Sequence, residues 1–440
     1  MTSETHGRFK RWFWRPPRAH GEIIADRQVS FLELFYDLVY VAVIGQAAHH
    51  LAEHVSVRGL AEFAVVFALI WIAWINGSLY LELHGREDGR TRSIVFVQMG
   101  ILVLLAVFTA DAADGSGRGF AVVYATYQFV QTGLWYTVWL QDRRDYSQYQ
   151  ALAGGYVVGM GGSVVVILAS ALLPATPRLI VWAGLAIAWT VGIVLAARSS
   201  RVSLGLTPTD SLVERFGAFT IIVLGEVVIG VVAGLSAAER DAKTIITGLL
   251  ALWLGFGFWW IYFDLVGRRL PRADGAAVSS WVLSHLPITL AITAAGAGMV
   301  SLIGHAHDAR TPASTSWLLA GAVATGLLAL VLTERALADA ERLSVVFFPL
   351  RLALFAGAAA ALLVAWLRPA PWLLALLLVA VLSVVWFFAV SRFLRADAWG
   401  RTMTGTLWRG EAGLEGEQLG VPWKGLEGSQ GISYGQHCCR

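Results

Sequence analysis

An all-α polytopic membrane protein of about twelve transmembrane helices, arranged as two parallel six-helix repeats, is the fold class this 440-residue chain predicts. Three observations carry that expectation. First, 57% of the residues are hydrophobic and only 14% are charged, where a soluble chain is about 25% charged. Second, apolar runs of about 20 residues recur along the chain, long enough to cross a hydrocarbon core of about 30 Å as helices. The alternating ten-residue segments of a transmembrane β-barrel are not evident. Third, the chain repeats itself. Tyr80-Leu81-Glu82-Leu83-His84-Gly85-Arg86 aligns without a gap on Tyr262-Phe263-Asp264-Leu265-Val266-Gly267-Arg268, 182 positions on, and the match runs back to Trp71 and Trp253. One span earlier, with a slip of one residue, Glu33-x-Phe35 meets Glu214-x-Phe216. In a membrane protein a duplicated half usually places the working site between the copies.

The elements follow in order. Residues 1–30 form a polar arm with the cluster Phe9-Lys10-Arg11-Trp12-Phe13-Trp14-Arg15, a composition suited to the headgroup layer. Pro16-Pro17 then breaks any helix. The first repeat, residues 31–200, holds spans at 31–52, 59–81, 93–112, 119–140, 151–173 and 179–197. The second, residues 201–395, holds spans at 212–235, 243–264, 280–303, 317–333, 345–367 and 372–394. Ala/Leu-rich runs let the last four be divided in more than one way. Residues 396–440 are polar and Gly-rich, the composition of a disordered tail. The Lys and Arg residues concentrate in both termini and the even-numbered loops, so the positive-inside rule predicts cytoplasmic termini. An even span number keeps the two halves in one orientation, which makes the repeat parallel.

Composition also excludes. The net charge of +3 is spread over loops, so no nucleic-acid partner is expected. Cys438 and Cys439 are adjacent and can neither staple a fold nor complete a metal site. No cofactor is implied. The first apolar run carries Glu33 and Asp37 and is too long for the core of a cleavable signal peptide.

Charges at bilayer depth cost about 2.5–3.5 kcal/mol each on insertion scales and need a reason. Glu33 and Asp37 lie one turn apart on one face of the first span, with Tyr36 and Tyr40 beside them as donors. Two close carboxylates repel, which suits a proton or cation relay; the alternative is a pair of helix-start anions. The seventh span carries Glu214, Arg215 and Glu226. Arg215 and Glu226 share a face but stand about 16 Å apart at 1.5 Å per residue, so only groups on other helices could join them. Glu226 lies too deep for an end-of-helix explanation. Gly225, Gly230 and Gly234 flank it and predict close helix contact, as do Gly155-x-x-x-Gly159 and Gly161-Gly162 in the fifth span. Glu82 and Asp264 end spans two and eight, and Arg86 and Arg268 follow at i+4, the spacing of a helical ion pair. Trp259, Trp260 and Tyr262 beside Asp264 fit an interfacial aromatic belt. His285 precedes Pro287 and reads as a buried hydrogen-bonded histidine or a relay group. Arg351 needs an anion, which Glu226 or Glu334 could supply. His49, His50 and His54 lack the partners of a metal site.

The stretch Phe31-Leu32-Glu33-Leu34-Phe35-Tyr36-Asp37-Leu38-Val39-Tyr40-Val41 resembles the opening motif of the bacterial low temperature requirement A family. Glu214-Arg215-Phe216-Gly217-x-Phe219-Thr220-Ile221-Ile222-Val223-Leu224-Gly225-Glu226 resembles its second hallmark, and Trp260-x-Tyr262-Phe263-Asp264 and His285-x-Pro287 also fit. The resemblance covers residues 25–395. It implies an integral, multi-pass protein of the bacterial inner membrane and gives Glu33, Asp37, Glu214, Arg215, Glu226 and Asp264 priority. It supplies no substrate. A fainter similarity is to potassium channels with Phe-Ser-Asp in the first helix of each repeat. Here Phe35-Tyr36-Asp37 departs from it, and the seventh span has Gly217-Ala218 in place of an Asp.

The residues therefore predict a secondary transporter or ion-coupled permease, whose partners are membrane lipids and a small solute, proton or other cation. The alternatives are a non-transporting protein that supports growth in the cold, and an ion channel. A channel pore would need a ring of like groups, which this chain would reach as a homodimer. No catalytic motif is present, and the chain is not expected to be an enzyme. Convergence of Asp37, Glu226 and Arg351 on one hydrated cavity would favour transport; separate pairing at interfaces would favour a structural role.

Overall fold

The computed structural model describes residues 16–19, 22, 27–86, 88–146, 149–198 and 208–395. The basic aromatic cluster at 9–15, the Gly-rich tail and both cysteines lie outside them. Twelve helices make up the described chain: α1 (Phe31–Glu53), α2 (Val57–His84), α3 (Gly89–Thr109), α4 (Gly117–Asp145), α5 (Gln150–Ser170), α6 (Ala175–Arg198), α7 (Asp210–Ala237), α8 (Ala242–Leu265), α9 (Gly275–Gly304), α10 (Ala313–Arg335), α11 (Ser344–Leu367) and α12 (Pro371–Arg395). Each matches one expected span, though α3 and α5 stop three residues short of the expected ends at 112 and 173. Eleven are long and apolar enough to cross a membrane. The exception is α4, whose middle is uncharged but rich in Tyr, Gln, Thr and Trp.

Local chemistry sets several helix starts. Ser30 and Glu33 form a reciprocal capping box at α1, which satisfies two backbone donors that the first turn leaves open. Asp88, Thr209, Asp241 and Asp274 cap α3, α7, α8 and α9 by accepting from the backbone amide three residues on. Gly85 ends α2. At the ends of α8 and α10, Pro271 and Leu337 form an isolated antiparallel bridge, flanked by an Arg269–Asp339 ion pair.

Helix α2 is almost wholly buried, and α9 and α10 are mostly so. Within the first six helices α1 packs on α2 and α3, α4 on α2, α3 and α5; within the next six α7 packs on α8 and α9, α10 on α8, α9 and α11. The same five neighbour pairs thus recur six helices on. Between the sets, α1 packs on α7 and α9. Helices α1 and α7 run in the same direction, because Asp37 meets Arg215 and, further along both, Gly45 meets Glu226. At Gly230 an added Cβ would lie 3.0 Å from the Gly296 carbonyl oxygen, so α7 and α9 touch backbone to backbone, as small residues permit. Gly225 makes no such contact, and neither do Gly155 and Gly162: a Cβ on any of these three meets nothing within 4 Å. Their faces open onto cavities rather than onto helices, which corrects the expectation of close packing there.

Candidate functional site

The densest buried charge lies where α1 meets α7. Asp37 and Arg215 are both 0% exposed and approach to 3.3 Å. Trp74 of α2 donates its indole N–H to the same Asp37 oxygen, Oδ1, at 2.9 Å. Trp74 is itself stacked on Phe219, with ring centroids 3.9 Å apart. Glu33, one turn before Asp37, stands 3.7 Å from Arg215 Nη1. Among the described residues, Asp37 Oδ2 and Arg215 Nε are buried without a hydrogen-bond partner. In a medium that rewards every satisfied polar group, that is a costly arrangement.

The charge continues outward along the helix starts. Arg27 bridges Glu33 and Glu82. Ser211 and Thr209, at the start of α7, donate to Glu82 Oε1 at 2.7 and 2.9 Å. Arg18 donates to the Glu82 carbonyl and is 2% exposed. Burial and the neighbouring Arg27 hold its pKa below the usual guanidinium range. Glu82 therefore does not pair with Arg86. Helix α2 stops at His84, so Arg86 no longer shares a helical face with Glu82 and turns to Glu22 at 3.0 Å. The same correction applies to Asp264. Helix α8 ends at Leu265, Arg268 is exposed, and Asp264 accepts from the Trp386 indole at 2.7 Å.

A second polar cluster adjoins the first. Tyr36 and Tyr40 of α1 point at each other and at Tyr127 of α4, with hydroxyls 3.2 Å apart for Tyr36–Tyr40 and 3.0 Å for Tyr40–Tyr127. Tyr36 also bonds Tyr127. Gln131 donates to the Tyr127 hydroxyl at 3.0 Å, and Tyr127 donates to the Ala73 carbonyl at 3.2 Å. Gly77 of α2 makes room, since a Cβ there would run into Tyr36, Gln131 and Tyr127. One turn back along α4, Gln128 donates to Tyr124, which donates to the Leu69 carbonyl. The side-chain amide oxygens of Gln128 and Gln131 are buried without partners among the described residues. Tyr124, Tyr127, Gln128 and Gln131 did not stand out as single residues. Their spacing of i, i+3, i+4, i+7 marks one face of a helix, and their span is the least apolar of the twelve.

The remaining expected residues are separate from this site. Glu226 is 8% exposed and makes no hydrogen bond or ion pair among the described residues; it lies against Gly45, whose Cβ would meet its carboxylate at 2.9 Å. Glu214 is exposed and receives only the Val29 amide at 3.4 Å. Arg351 does not approach Asp37 or Glu226. It forms a two-point pair with Glu334, at 2.7 and 2.8 Å. His285 sits between Tyr262, at 3.0 Å, and the Trp281 carbonyl, at 2.7 Å, which is the hydrogen-bonded alternative. The convergence of Asp37, Glu226 and Arg351 that would favour transport is thus absent among the described residues. Among the described residues no cluster of three His, Cys, Asp or Glu could hold a metal. Two apolar cavities lie elsewhere, one of about 450 Å³ among α2, α5, α6 and α9, one of about 700 Å³ between α7 and α8.

Comparison with known proteins covers most of this region. The family described as bacterial low temperature requirement A protein matches residues 28–385. An uncharacterized protein of Rhizobium meliloti (strain 1021) is 26% identical over 306 residues, 64% of this chain and 72% of the relative. No solved structure matches.

Proposed function

The chain belongs to the bacterial low temperature requirement A family, and on that footing we propose that it is an ion-coupled secondary transporter whose working seam is the α1–α7 interface. One observation carries this reading: Asp37 and Arg215, both fully buried, join the first helix of each set of six. A buried pair is poor value as glue, because desolvation offsets much of the Coulomb attraction. It serves well as a switch. Arg215 has two carboxylates in reach, Asp37 and Glu33, and each holds it only while ionised. A proton taken up by either weakens that hold and shifts the cation toward the other. The seam between the two six-helix sets would loosen or tighten accordingly, which is the movement alternating access requires. Glu226, without an ion pair among the described residues and further along the same seam, is the second ion-linked group. The recurrence of five helix pairs and the internal sequence match support the two sets being copies of one unit.

The test is reconstitution in liposomes with an internal pH dye under an imposed potassium-diffusion potential. Wild type, Asp37→Asn, Arg215→Gln and Glu226→Gln are compared. Proton or cation flux in wild type that Asp37→Asn and Arg215→Gln abolish supports the reading, and solutes can then be screened for coupling. A specific observation favours a second reading, a non-transporting membrane protein. Arg351, Asp264 and His285 each have a partner inside the bundle, and neither large cavity is lined by Asp37 or Arg215. Folded protein that moves no ion, with or without added solutes, would favour that alternative.

A further inference from the structure

The cavity among α2, α5, α6 and α9 holds about 450 Å³ and opens at the protein surface. Its wall on α5 is a glycine stripe, Gly155, Gly159 and Gly162, faced by Gly192 on α6. A Cβ on Gly155, Gly162 or Gly192 would meet nothing within 4 Å, so these glycines hold the space open and bring no helices together. The three on α5 are exposed at the protein surface. In a chain of membrane-crossing helices that surface faces lipid.

The dimensions and the rim name the occupant. The lining runs from Leu185 to Ala196 on α6, about 16 Å at 1.5 Å per residue. That is half of a hydrocarbon core of about 30 Å, the depth of one leaflet. At the end where α4 stops and α5 starts, Arg143 and Arg144 are exposed, and Arg198 lies two residues beyond the lining residue Ala196. Asp145, and the buried Asp142 one residue before Arg143, offset two of these three charges, leaving the rim with a net charge of one positive. Basic groups at a membrane surface attract anionic headgroups. We propose that this cavity is a site for one anionic phospholipid, its acyl chain laid along the glycine stripe and its headgroup held by Arg143, Arg144 and Arg198.

The full-length protein is tested in vesicles of phosphatidylcholine doped with a phosphatidylglycerol probe that carries a diazirine in one acyl chain, with the cross-linked residues mapped by mass spectrometry. Labelling is expected to concentrate on the cavity-facing positions of α5 and α6. Leucines in the open space, Gly155→Leu with Gly192→Leu, should cut it about tenfold, equivalent to 1.4 kcal/mol. Gly184→Leu serves as the matched control, because its Cβ also meets nothing but it does not line the cavity; labelling should persist. Arg143→Gln, Arg144→Gln and Arg198→Gln together should remove the preference for the phosphatidylglycerol probe over its phosphatidylcholine analogue and leave chain labelling in place. Labelling unchanged by the paired leucines, or equal in the uncharged cavity between α7 and α8, would overturn the site. Equal labelling by both probes in wild type would overturn its anionic selectivity.

Discussion

Replacing Asp37 and Arg215 singly and together separates a compensated buried pair from two independent charges. Neither side chain is exposed at all, so breaking the pair falls in the range of about 3–5 kcal/mol that an uncompensated buried charge costs. The two single variants are not equivalent. Asp37→Asn leaves Arg215 with Glu33, 3.7 Å from Nη1, and keeps the Trp74 bond as a neutral one, so the loss should lie near about 3 kcal/mol. Arg215→Met leaves Asp37 with only the Trp74 indole, while Glu33 retains Arg27; that loss should approach about 5 kcal/mol. Asp37→Leu with Arg215→Met removes both charges. Apolar replacement of a whole buried pair is often neutral or stabilising, so the double variant should return to within about 1 kcal/mol of wild type. Unfolding in mixed SDS micelles, followed by tryptophan fluorescence, measures all four. A double variant no more stable than Arg215→Met alone would show that removing the Asp37 charge relieves nothing and would refute the pairing argument.

Other perturbations test the surrounding structure. Gly77→Ala drives a methyl into the Tyr36, Tyr127 and Gln131 cluster and should destabilise by about 1–3 kcal/mol, as overpacking does; the same unfolding titration reads it. Tyr127→Phe removes interhelical bonds to Tyr36, Tyr40 and Ala73, about 0.6 kcal/mol each in membrane proteins and near 2 kcal/mol together. Arg351→Gln strands Glu334, 2% exposed, and should cost about 3 kcal/mol, largely recovered when Glu334→Gln is added. Bonds from the Thr244 and Ala277 amides hold Asp241 and Asp274 below the ordinary aspartate range. Their contribution is full above the unfolded value of about 3.9 and is lost as pH falls through the lower folded values. Asp241→Ser with Asp274→Ser keeps the caps without titration, so the melting temperature of that variant should fall less than that of wild type between about pH 5 and pH 3.

The helices were legible because length, apolarity and loop charge are properties of one segment at a time. Even α4 was found, although polar groups lower its hydropathy. Partners were less legible. Spacing of i+4 predicts Glu82–Arg86 and Asp264–Arg268 only if the helix continues, and both helices stop between the two residues. Glu334 was one of two anions open to Arg351, and packing of α10 on α11 decides between them. Asp37 and Arg215 are 178 positions apart, and each asked for a counter-charge that no local rule could choose. The tyrosine cluster needed α4 placed against α1 and α2 before its stripe became a site.

Comparison of α1 with α7 argues that these polar groups are not there to build the bundle. Both helices pack on their next two neighbours in the same way. With Glu33-x-Phe35 laid on Glu214-x-Phe216, α7 has Gly217, Ala218 and Ile221 where α1 has Tyr36, Asp37 and Tyr40. A six-helix set therefore closes on apolar residues at those places. If the polar residues of α1 served packing alone, substituting Tyr36, Asp37 and Tyr40 by apolar residues of similar size, with Arg215→Met to remove the cation, should leave both a folded bundle and its activity. The transport reading expects the bundle to survive and ion flux to be lost. A variant that folds and still conducts as wild type would move the working site away from the α1–α7 seam.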